Sequence, residues 1–172
     1  DTVFKIFLHN INTIDNSIKI NYFRQMSNEF FNSQKSKKYD IIFIDADHTY
    51  NSVLNDIKKS LDLINEGGVI CGDDLNMQLG EVDKINAKEN HNKDFIRDIK
   101  TGRNFHPGVT LAVDEIFGNV NSWGGFWAVQ KVGDKWINIS LKNIPIIYPT
   151  HFNDDLLLRA REHYSDIKEE IF

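Results

Sequence analysis

Two apolar segments that each end in a pair of acidic residues decide the fold of this chain. The first is YDIIFIDADHTY, residues 39–50, and the second is EGGVICGDDL, residues 66–75. Short apolar runs rich in isoleucine and valine, bounded by turn residues, are typical of buried strands. The run that starts at Tyr39 is apolar on both faces, which predicts a strand of a parallel sheet covered on both sides.

Helical and strand-like patterns alternate around these two strands. Residues 49–65 place apolar side chains on one helical face, and the glycines after Glu66 predict the end of that helix. The other predicted elements are a helix over 2–13, a strand over 17–23, a short helix from Ser27, a helix from His106, a hairpin with strands 125–131 and 135–141, and a helix over 154–171. Strands that alternate with helices and finish in a hairpin predict an α/β sheet.

The length of 172 residues suits a single domain over 1–172 with a sizeable core. Residues 75–105 are polar and only weakly periodic, so we interpret them as an insertion or flap, with a helix around 92–100. A flap beside a binding site helps to choose the substrate and to exclude water.

Composition and charge narrow the classes of partner. The net charge of −5 argues against nucleic acid and anionic membrane surfaces as partners. No segment has the pattern of a membrane span or a signal peptide, which predicts a cytoplasmic protein. The single cysteine, Cys71, lies in an apolar run and is expected in the core. The oligomeric state is not indicated.

The acidic residues fall at the carboxyl ends of the two strands, where α/β sheets bind ligands. Asp45 and Asp47 follow the first strand, and Asp73 and Asp74 follow the second. Neighbouring strands would bring the four carboxylates together, and Mg²⁺ bound by Asp45, Asp73 and Asp74 would balance their charge. Asp47 would contact a cofactor or accept a proton. The alternative is structural, because an aspartate after a strand often caps a helix, here the one near Thr49.

Two histidines are candidates for chemistry near the same end of the sheet. His48 is either a general base or cofactor contact, or a residue that packs against Tyr50. His106 opens a helix whose N-terminus favours an anionic group, so its side chain is a candidate to face the substrate. Trp123 is a candidate pocket residue, whereas Trp127 and Trp136 are expected in the core. The histidines without metal-ligand spacing are expected at the surface; they are His9, His91, His151 and His163.

Four motifs together resemble one family. They are FIDADHTY at 43–50, EGGVICGDD at 66–74, HPGVTLAVDEIFG at 106–118 and GFWAVQK at 125–131. They resemble class I S-adenosylmethionine-dependent methyltransferases, and most closely a bacterial group of small-molecule O-methyltransferases with IDxDHxY and GDD motifs. The resemblance implies a Rossmann-like sheet of order 3-2-1-4-5-7-6. Residues 17–23 would be strand three, the two acid-tipped strands four and five, and the hairpin strands six and seven.

The resemblance also implies roles for individual residues. It implies S-adenosylmethionine as the cofactor, a small-molecule hydroxyl as the methyl acceptor, and Mg²⁺ held by Asp45, Asp73 and Asp74. The catalytic residues would be Asp47, His48 and His106. The implied cofactor contacts are Met26, Ser27, Asp45, Ala46, Asp47, His48 and Tyr50.

The sequence departs from the family in its cofactor loop. The glycine-rich turn after strand one and the acid of strand two have no counterpart here, so the resemblance implies the C-terminal two-thirds of a methyltransferase domain, truncated at its N-terminus. Two alternatives remain open. One is a metal-free methyltransferase of the same fold, in which Asp73 and Asp74 bind a substrate amine or cap a helix. The other is a non-catalytic binding or assembly module.

Overall fold

A computed structural model describes residues 1–14, 17–141, 145 and 147–171, with side chains described as far as residue 162. Its contacts divide the chain into two units, Asp1–Ser33 and Gln34–Phe172. The single domain expected over 1–172 stays a prediction.

The first unit contains two helices, α1 (Thr2–Asn12) and α2 (Ser27–Ser33), close to the predicted bounds. The Asp1 carboxylate accepts a hydrogen bond from the Phe4 N–H and so caps α1. Tyr22 packs edge-on against Phe4 and Phe7, with ring centroids 6.1 and 5.7 Å away. These aromatic contacts hold the segment between the helices against α1.

The strand predicted over 17–23 is wrong. Residues 17–23 form no strand, and no described strand pairs with them. An extended segment becomes part of a sheet only when a neighbour accepts and donates its backbone hydrogen bonds. The alternation that suggested a strand instead brings Tyr22 to the aromatic side chains of α1.

The second unit carries the sheet. Its elements are β1 (Tyr39–Ile44), α3 (Tyr50–Leu61), β2 (Ile64–Leu75), α4 (Lys84–Glu89), β3 (Ile96–Arg97), β4 (Asn104–Phe105), α5 (Pro107–Phe117), β5 (Ser122–Trp123), β6 (Gly125–Val132), β7 (Lys135–Asn138) and α6 (Asp154–Ile171). Among the described residues, no helix is long and apolar enough to cross a lipid bilayer.

The sheet is mixed and mostly antiparallel. β1 and β2 are parallel neighbours, as expected, and β2 pairs with β6 in the antiparallel sense. β5 and β7 both pair with β6. The α/β class is confirmed, but the strand order implied by the resemblance is not. The first strand of the hairpin lies beside β2 and the second lies outside it, whereas that order places the last strand of the chain beside strand five.

The core lies on one face of the sheet, under α3 and α5. Val53 and Ile57 of α3 and Val109 and Val113 of α5 pack with Trp127 of β6, and all five are buried. The prediction that both faces of β1 are covered is wrong for the face opposite the core, because the side chains of Ile41 and Phe43 on that face are 67% and 53% exposed. The run of apolar residues in β1 therefore does not indicate two covered faces. Cys71 is buried, as predicted.

α3 ends earlier than predicted. It stops at Leu61 rather than Asn65, because Ile64 already pairs with Tyr39 across the β1–β2 ladder. Gly67, with φ of +75°, therefore lies inside β2 and does not cap the helix. The hairpin is confirmed, with Gly133 at φ of +60° in the turn, where glycine adopts the left-handed conformation without strain.

Residues 75–105 contain a small core of their own. The buried members are Met77, Val82, Ala87 and Phe105, which pack with Leu111 of α5. The helix expected around 92–100 is wrong: the helix of this segment is α4, and the two-residue strands β3 and β4 pair downstream of it. Asp98 explains the difference, because its buried carboxylate accepts hydrogen bonds from the N–H groups of Asp83 and Thr101 and closes a turn. The flap role stays a prediction.

Candidate functional site

The four carboxylates predicted to converge line one crevice. β1 and β2 run parallel side by side, so Asp45 and Asp47 beyond β1 come next to Asp73 and Asp74 at the end of β2. The crevice encloses about 10 Å³, which is room for no more than about one water molecule. Any larger ligand must therefore bind across its mouth or open it.

A bulge in β2 sets the direction of its two acids. Between the pairs Gly72↔Trp127 and Leu75↔Gly125, β2 has one more residue than β6. The extra residue disrupts the ladder at Asp73 and Asp74, and Asp74 adopts a φ of +65°, which costs a non-glycine residue about 1 kcal/mol or more. Such bulges re-aim side chains next to binding sites.

Asp47 closes a turn just before α3, whose N-cap is Thr49. One carboxylate oxygen accepts from the Thr49 N–H at 2.9 Å, and the other accepts from the hydroxyls of Thr49 and Ser52 at 3.2 and 2.8 Å. The backbone hydrogen bond from Thr49, followed by that from the Ser52 hydroxyl, lowers the pKa of the Asp47 carboxyl. Asp47 therefore has a structural role, as a turn former and not as the cap of α3, and its lowered pKa makes it a weak base.

His48 lies between two carboxylates. Its Nε2 is 3.0 Å from Asp74 Oδ2, and its Nδ1 is 2.5 Å from Asp94 Oδ1. Burial alone would lower the pKa of the imidazole, but the carboxylates of Asp94 and Asp74 outweigh it and raise the pKa. With an acceptor at each ring nitrogen, this geometry favours the doubly protonated ring.

His106 meets His48 at the start of α5. Their ring centroids are 4.8 Å apart, and His106 Nδ1 is 2.9 Å from Asn76 Oδ1 and 3.6 Å from Asp74 Oδ1. The backbone allows this approach because Gly108 has no side chain: a Cβ built there would lie 2.2 Å from the His48 carbonyl oxygen. His106 makes no cap hydrogen bond to α5 with its side chain. Its ring is therefore free to face the site.

His48, Asp74 and His106 form the group of three best arranged for a metal ion among the described residues. Their ligand atoms all lie within 4.8 Å of one another. Asp45 and Asp73 line the same crevice but do not belong to this group, and one oxygen of Asp73 accepts the Asp74 N–H at 2.8 Å. The three carboxylates expected to bind Mg²⁺ thus line one crevice, but their oxygens do not form a group spaced for a metal ion.

Trp127 leaves an unused donor at the floor of the crevice. Its side chain is 1% exposed, and its Nε1 has no hydrogen-bond partner. Gly72 makes room for the ring, because a Cβ there would lie 2.8 Å from Nε1 and 2.6 Å from the Ile44 carbonyl oxygen. A buried unpaired N–H is costly, so this donor favours a water or a ligand atom in the crevice.

The predicted cofactor residues fall in three places. Ala46 lines the crevice with Asp45, Asp47 and His48. Tyr50 turns away: its hydroxyl hydrogen-bonds Glu115, and its ring lines a separate pocket of about 380 Å³. Met26 and Ser27 lie in the first unit, where Ser27 begins α2.

Two polar residues of the site were missed by sequence reasoning. Asn76 lies two residues beyond Asp74, and that proximity was an available signal. Asp94 reaches His48 from 46 residues away, in a segment whose pattern carries no signal. Asn76 also borders a pocket of about 500 Å³ that Trp123 lines, as the sequence had suggested for Trp123.

Comparison with known proteins gives one family match. No curated protein and no solved structure matched the chain. Residues 7–75 match a family model described as a methyltransferase domain. The matched segment includes β1 and β2 and all four acids of the crevice. It thus supports a methyltransferase domain, and with it an enzyme that transfers methyl groups.

Proposed function

We propose that this protein transfers the methyl group of S-adenosylmethionine to a hydroxyl group of a small molecule. The observation that carries the proposal is the acid-lined crevice at the carboxyl ends of two parallel strands, inside the segment that matches the methyltransferase family. Ligands of α/β sheets bind at such ends.

The cofactor would lie along the loop after β1. Asp45, Ala46 and His48 line the crevice there, and Asp45 is an exposed carboxylate able to accept hydrogen bonds from a ribose or an ammonium group. The unpaired Nε1 of Trp127 supplies a donor at the same place. When bound, S-adenosylmethionine supplies an activated methyl group, and the protein contributes orientation and proximity.

The methyl acceptor would bind in the pocket beside the crevice. This pocket of about 500 Å³ falls within the range of about 300–1,000 Å³ that suits a small molecule. Its lining is polar apart from an aromatic surface, with Arg103, Asn121, Ser122 and Trp123 among its residues. Asn76 belongs to the lining and contacts His106, which connects the pocket to the histidines.

His48 is the better candidate to accept the hydroxyl proton. Both oxygens of Asp47 accept hydrogen bonds from Thr49 or Ser52, and its pKa is lowered, so it is a poor base. The Asp94 side chain is 74% exposed, so a substrate hydroxyl can replace it beside His48 Nδ1. Once Asp94 has left, a neutral His48 would carry its one proton on Nε2, toward Asp74, and its Nδ1 would be able to accept the hydroxyl proton. Asp74 would then stabilise the imidazolium that forms when His48 takes the proton.

Assistance by Mg²⁺ is the second part of the proposal. Asp45, Asp73 and Asp74 offer the oxygen ligands that Mg²⁺ prefers and share one crevice. Because the oxygens of these three carboxylates do not form a group spaced for a metal ion, a metal-free methyltransferase remains the alternative. Cofactor binding and methyl transfer that survive a chelator unchanged would favour that alternative.

The test is calorimetric titration of S-adenosylhomocysteine into the whole chain, with Mg²⁺ and with a chelator. We expect binding that weakens in Asp45→Ala. The matched control is Asp40→Ala, which removes an exposed carboxylate at the opposite end of β1. Methyl transfer is then measured by following a labelled methyl group into a panel of sugars and phenols.

Failure of the folded wild-type protein to bind the cofactor product would contradict the enzyme proposal. The non-catalytic binding module would then become the better explanation. Equal affinity in Asp45→Ala and Asp40→Ala would contradict the placement of the cofactor at the crevice, even if methyl transfer were observed.

A further inference from the structure

We propose that His48, Asp74 and His106 form a binding site for a divalent transition-metal ion, which shares only Asp74 with the carboxylate set expected for Mg²⁺. Their ligand atoms lie within 4.8 Å of one another, on three different elements of the second unit. Two imidazoles and one carboxylate make a donor set that suits Zn²⁺, Fe²⁺ or Mn²⁺ better than Mg²⁺, which prefers oxygen.

The separations match those of a metal coordination shell. His48 Nε2 is 3.0 Å from Asp74 Oδ2, and His106 Nδ1 is 3.6 Å from Asp74 Oδ1. Bonds of about 2.0–2.1 Å in a tetrahedral site place neighbouring ligands about 3.4 Å apart. The two observed distances lie on either side of that value but end on different oxygens of Asp74, and the group as a whole lies within 4.8 Å, so an ion would draw the three side chains closer together.

The outward nitrogens of both imidazoles face the same carboxylate. Asp94 Oδ1 is 2.5 Å from His48 Nδ1 and 3.9 Å from His106 Nε2. Metal-bound histidines usually donate their other N–H to a carboxylate or carbonyl, which fixes the ring orientation and strengthens the ligand. Asp94 occupies that position for His48 and lies close to it for His106.

A neutral oxygen completes the surroundings of the group. Asn76 Oδ1 lies 2.9 Å from His106 Nδ1 and accepts a hydrogen bond from it; an ion would take the place of that proton and leave Oδ1 near enough to join as a weak ligand. Asp74 and Asp94 together carry two negative charges beside the histidines, and a divalent cation balances them.

The backbone holds the three ligands where they are. Asp74 is turned by the β2 bulge, with φ of +65°. His106 is brought to the His48 loop by the glycine contact at Gly108. Two independent local features, a strained residue and a contact that only glycine permits, thus serve one arrangement of side chains. Bulges and backbone strain of this kind concentrate at ligand sites.

An ion at this position changes the role of His48. When an ion binds His48 Nε2, the one proton of the neutral imidazole lies on Nδ1, so the ion-bound protein does not use His48 Nδ1 as a proton acceptor. A bound ion lowers the pKa of a coordinated hydroxyl and can replace the base in that step. Ion binding is measured without cofactor, so its outcome is independent of whether the chain transfers methyl groups.

The experiment is titration of the whole chain with Co²⁺, followed by its visible absorption, and with Zn²⁺ and Mg²⁺ by calorimetry. We expect one Co²⁺ per chain, displacement of Co²⁺ by Zn²⁺, and only weak competition by millimolar Mg²⁺, which shares the Asp74 ligand but not the two histidines. His48→Ala and His106→Ala each lose the signal, while Asp94→Asn weakens binding by about 10- to 100-fold. Thermal unfolding of each variant checks that it is folded.

Two variants serve as controls. His91→Ala removes a histidine outside the group, whose Nδ1 contacts the Lys88 carbonyl oxygen, and should bind Co²⁺ as the wild type does. Asp73→Asn keeps an oxygen for the Asp74 N–H and should also bind. Any one of three results would overturn the proposal. The first is that the folded protein does not bind Co²⁺, and the second is that binding is unchanged in both His48→Ala and His106→Ala. The third is that Asp73→Asn loses Co²⁺ binding while His106→Ala retains it.

Discussion

Replacing Gly108 by alanine tests whether the close approach of α5 to the His48 loop holds the site together. The added Cβ would lie 2.2 Å from the His48 carbonyl oxygen and 2.4 Å from the Tyr50 nitrogen. Both neighbours are backbone atoms, so no side chain can rotate out of the way. The contact must open to at least the 3.4 Å of an ordinary van der Waals contact, a shift of about 1 Å.

The expected loss of stability is large for one methyl group. Adding atoms to a tightly packed contact usually lowers the free energy of unfolding by about 1–3 kcal/mol. Because the added Cβ would meet backbone atoms of two residues, we expect Gly108→Ala to lose about 3 kcal/mol. For a chain of this size, each kcal/mol lowers Tm by about 2–4 °C, so we expect a decrease of about 10 °C. A displacement of about 1 Å between reacting groups can reduce activity about 100-fold. Co²⁺ affinity should fall as well, because His106 moves with α5.

The assay is thermal unfolding followed by circular dichroism, with Gly80→Ala as the matched control. A Cβ at Gly80 meets nothing within 4 Å, so that variant should change stability by no more than about 0.5 kcal/mol. Alanine is the better helix former by about 1 kcal/mol. A Tm for Gly108→Ala equal to or above that of the wild type would show that propensity outweighs the contact, and would refute the reasoning.

Three further substitutions test single contacts, each measured by urea unfolding. Asp98→Ala should cost about 3 kcal/mol, because the N–H groups of Asp83 and Thr101 lose their buried acceptor; an equal stability would contradict the role of the turn. Burial acts to raise the pKa of the Asp98 carboxyl, but the hydrogen bonds that it accepts outweigh burial and lower the pKa. The ionised carboxylate therefore contributes its full stabilisation at pH values above the pKa of an aspartate in the unfolded chain, about 4. That stabilisation is lost as the pH falls through the lower pKa of Asp98 in the folded protein. Asp98→Asn should therefore flatten the loss of stability in acid. Asp47→Ala should cost about 1 kcal/mol, because the Thr49 N–H loses its acceptor in the turn before α3, and Asp47→Asn much less; identical losses would argue against that role. Thr110→Val should cost about 1 kcal/mol, because the buried Met77 carbonyl loses its hydroxyl donor, and no change would show that the bond is replaced.

Local pattern predicted the elements that carry the acids. Apolar runs with β-branched residues identified β1 and β2, and helical spacing identified α3 and α5, because these periodicities follow from backbone geometry alone. β1 and β2 were expected to be neighbours because both are apolar runs that end in two acidic residues, and they do pair. Neighbouring parallel strands bring the residues at their carboxyl ends together, which predicted that Asp45 and Asp73 lie in one crevice. Pattern failed for residues 17–23, because alternation does not reveal whether a partner strand exists.

The sequence by itself determined which groups stand at the ends of β1 and β2, because side chains that follow a strand must lie at its carboxyl end. Only the tertiary structure decided which of those groups meet. A one-residue bulge turns Asp74 toward His48, and a glycine contact brings His106 beside them. Asp94 joins from 46 residues away, in a segment whose sequence has little periodicity. Contacts between distant residues depend on how elements pack, and no local pattern encodes the packing.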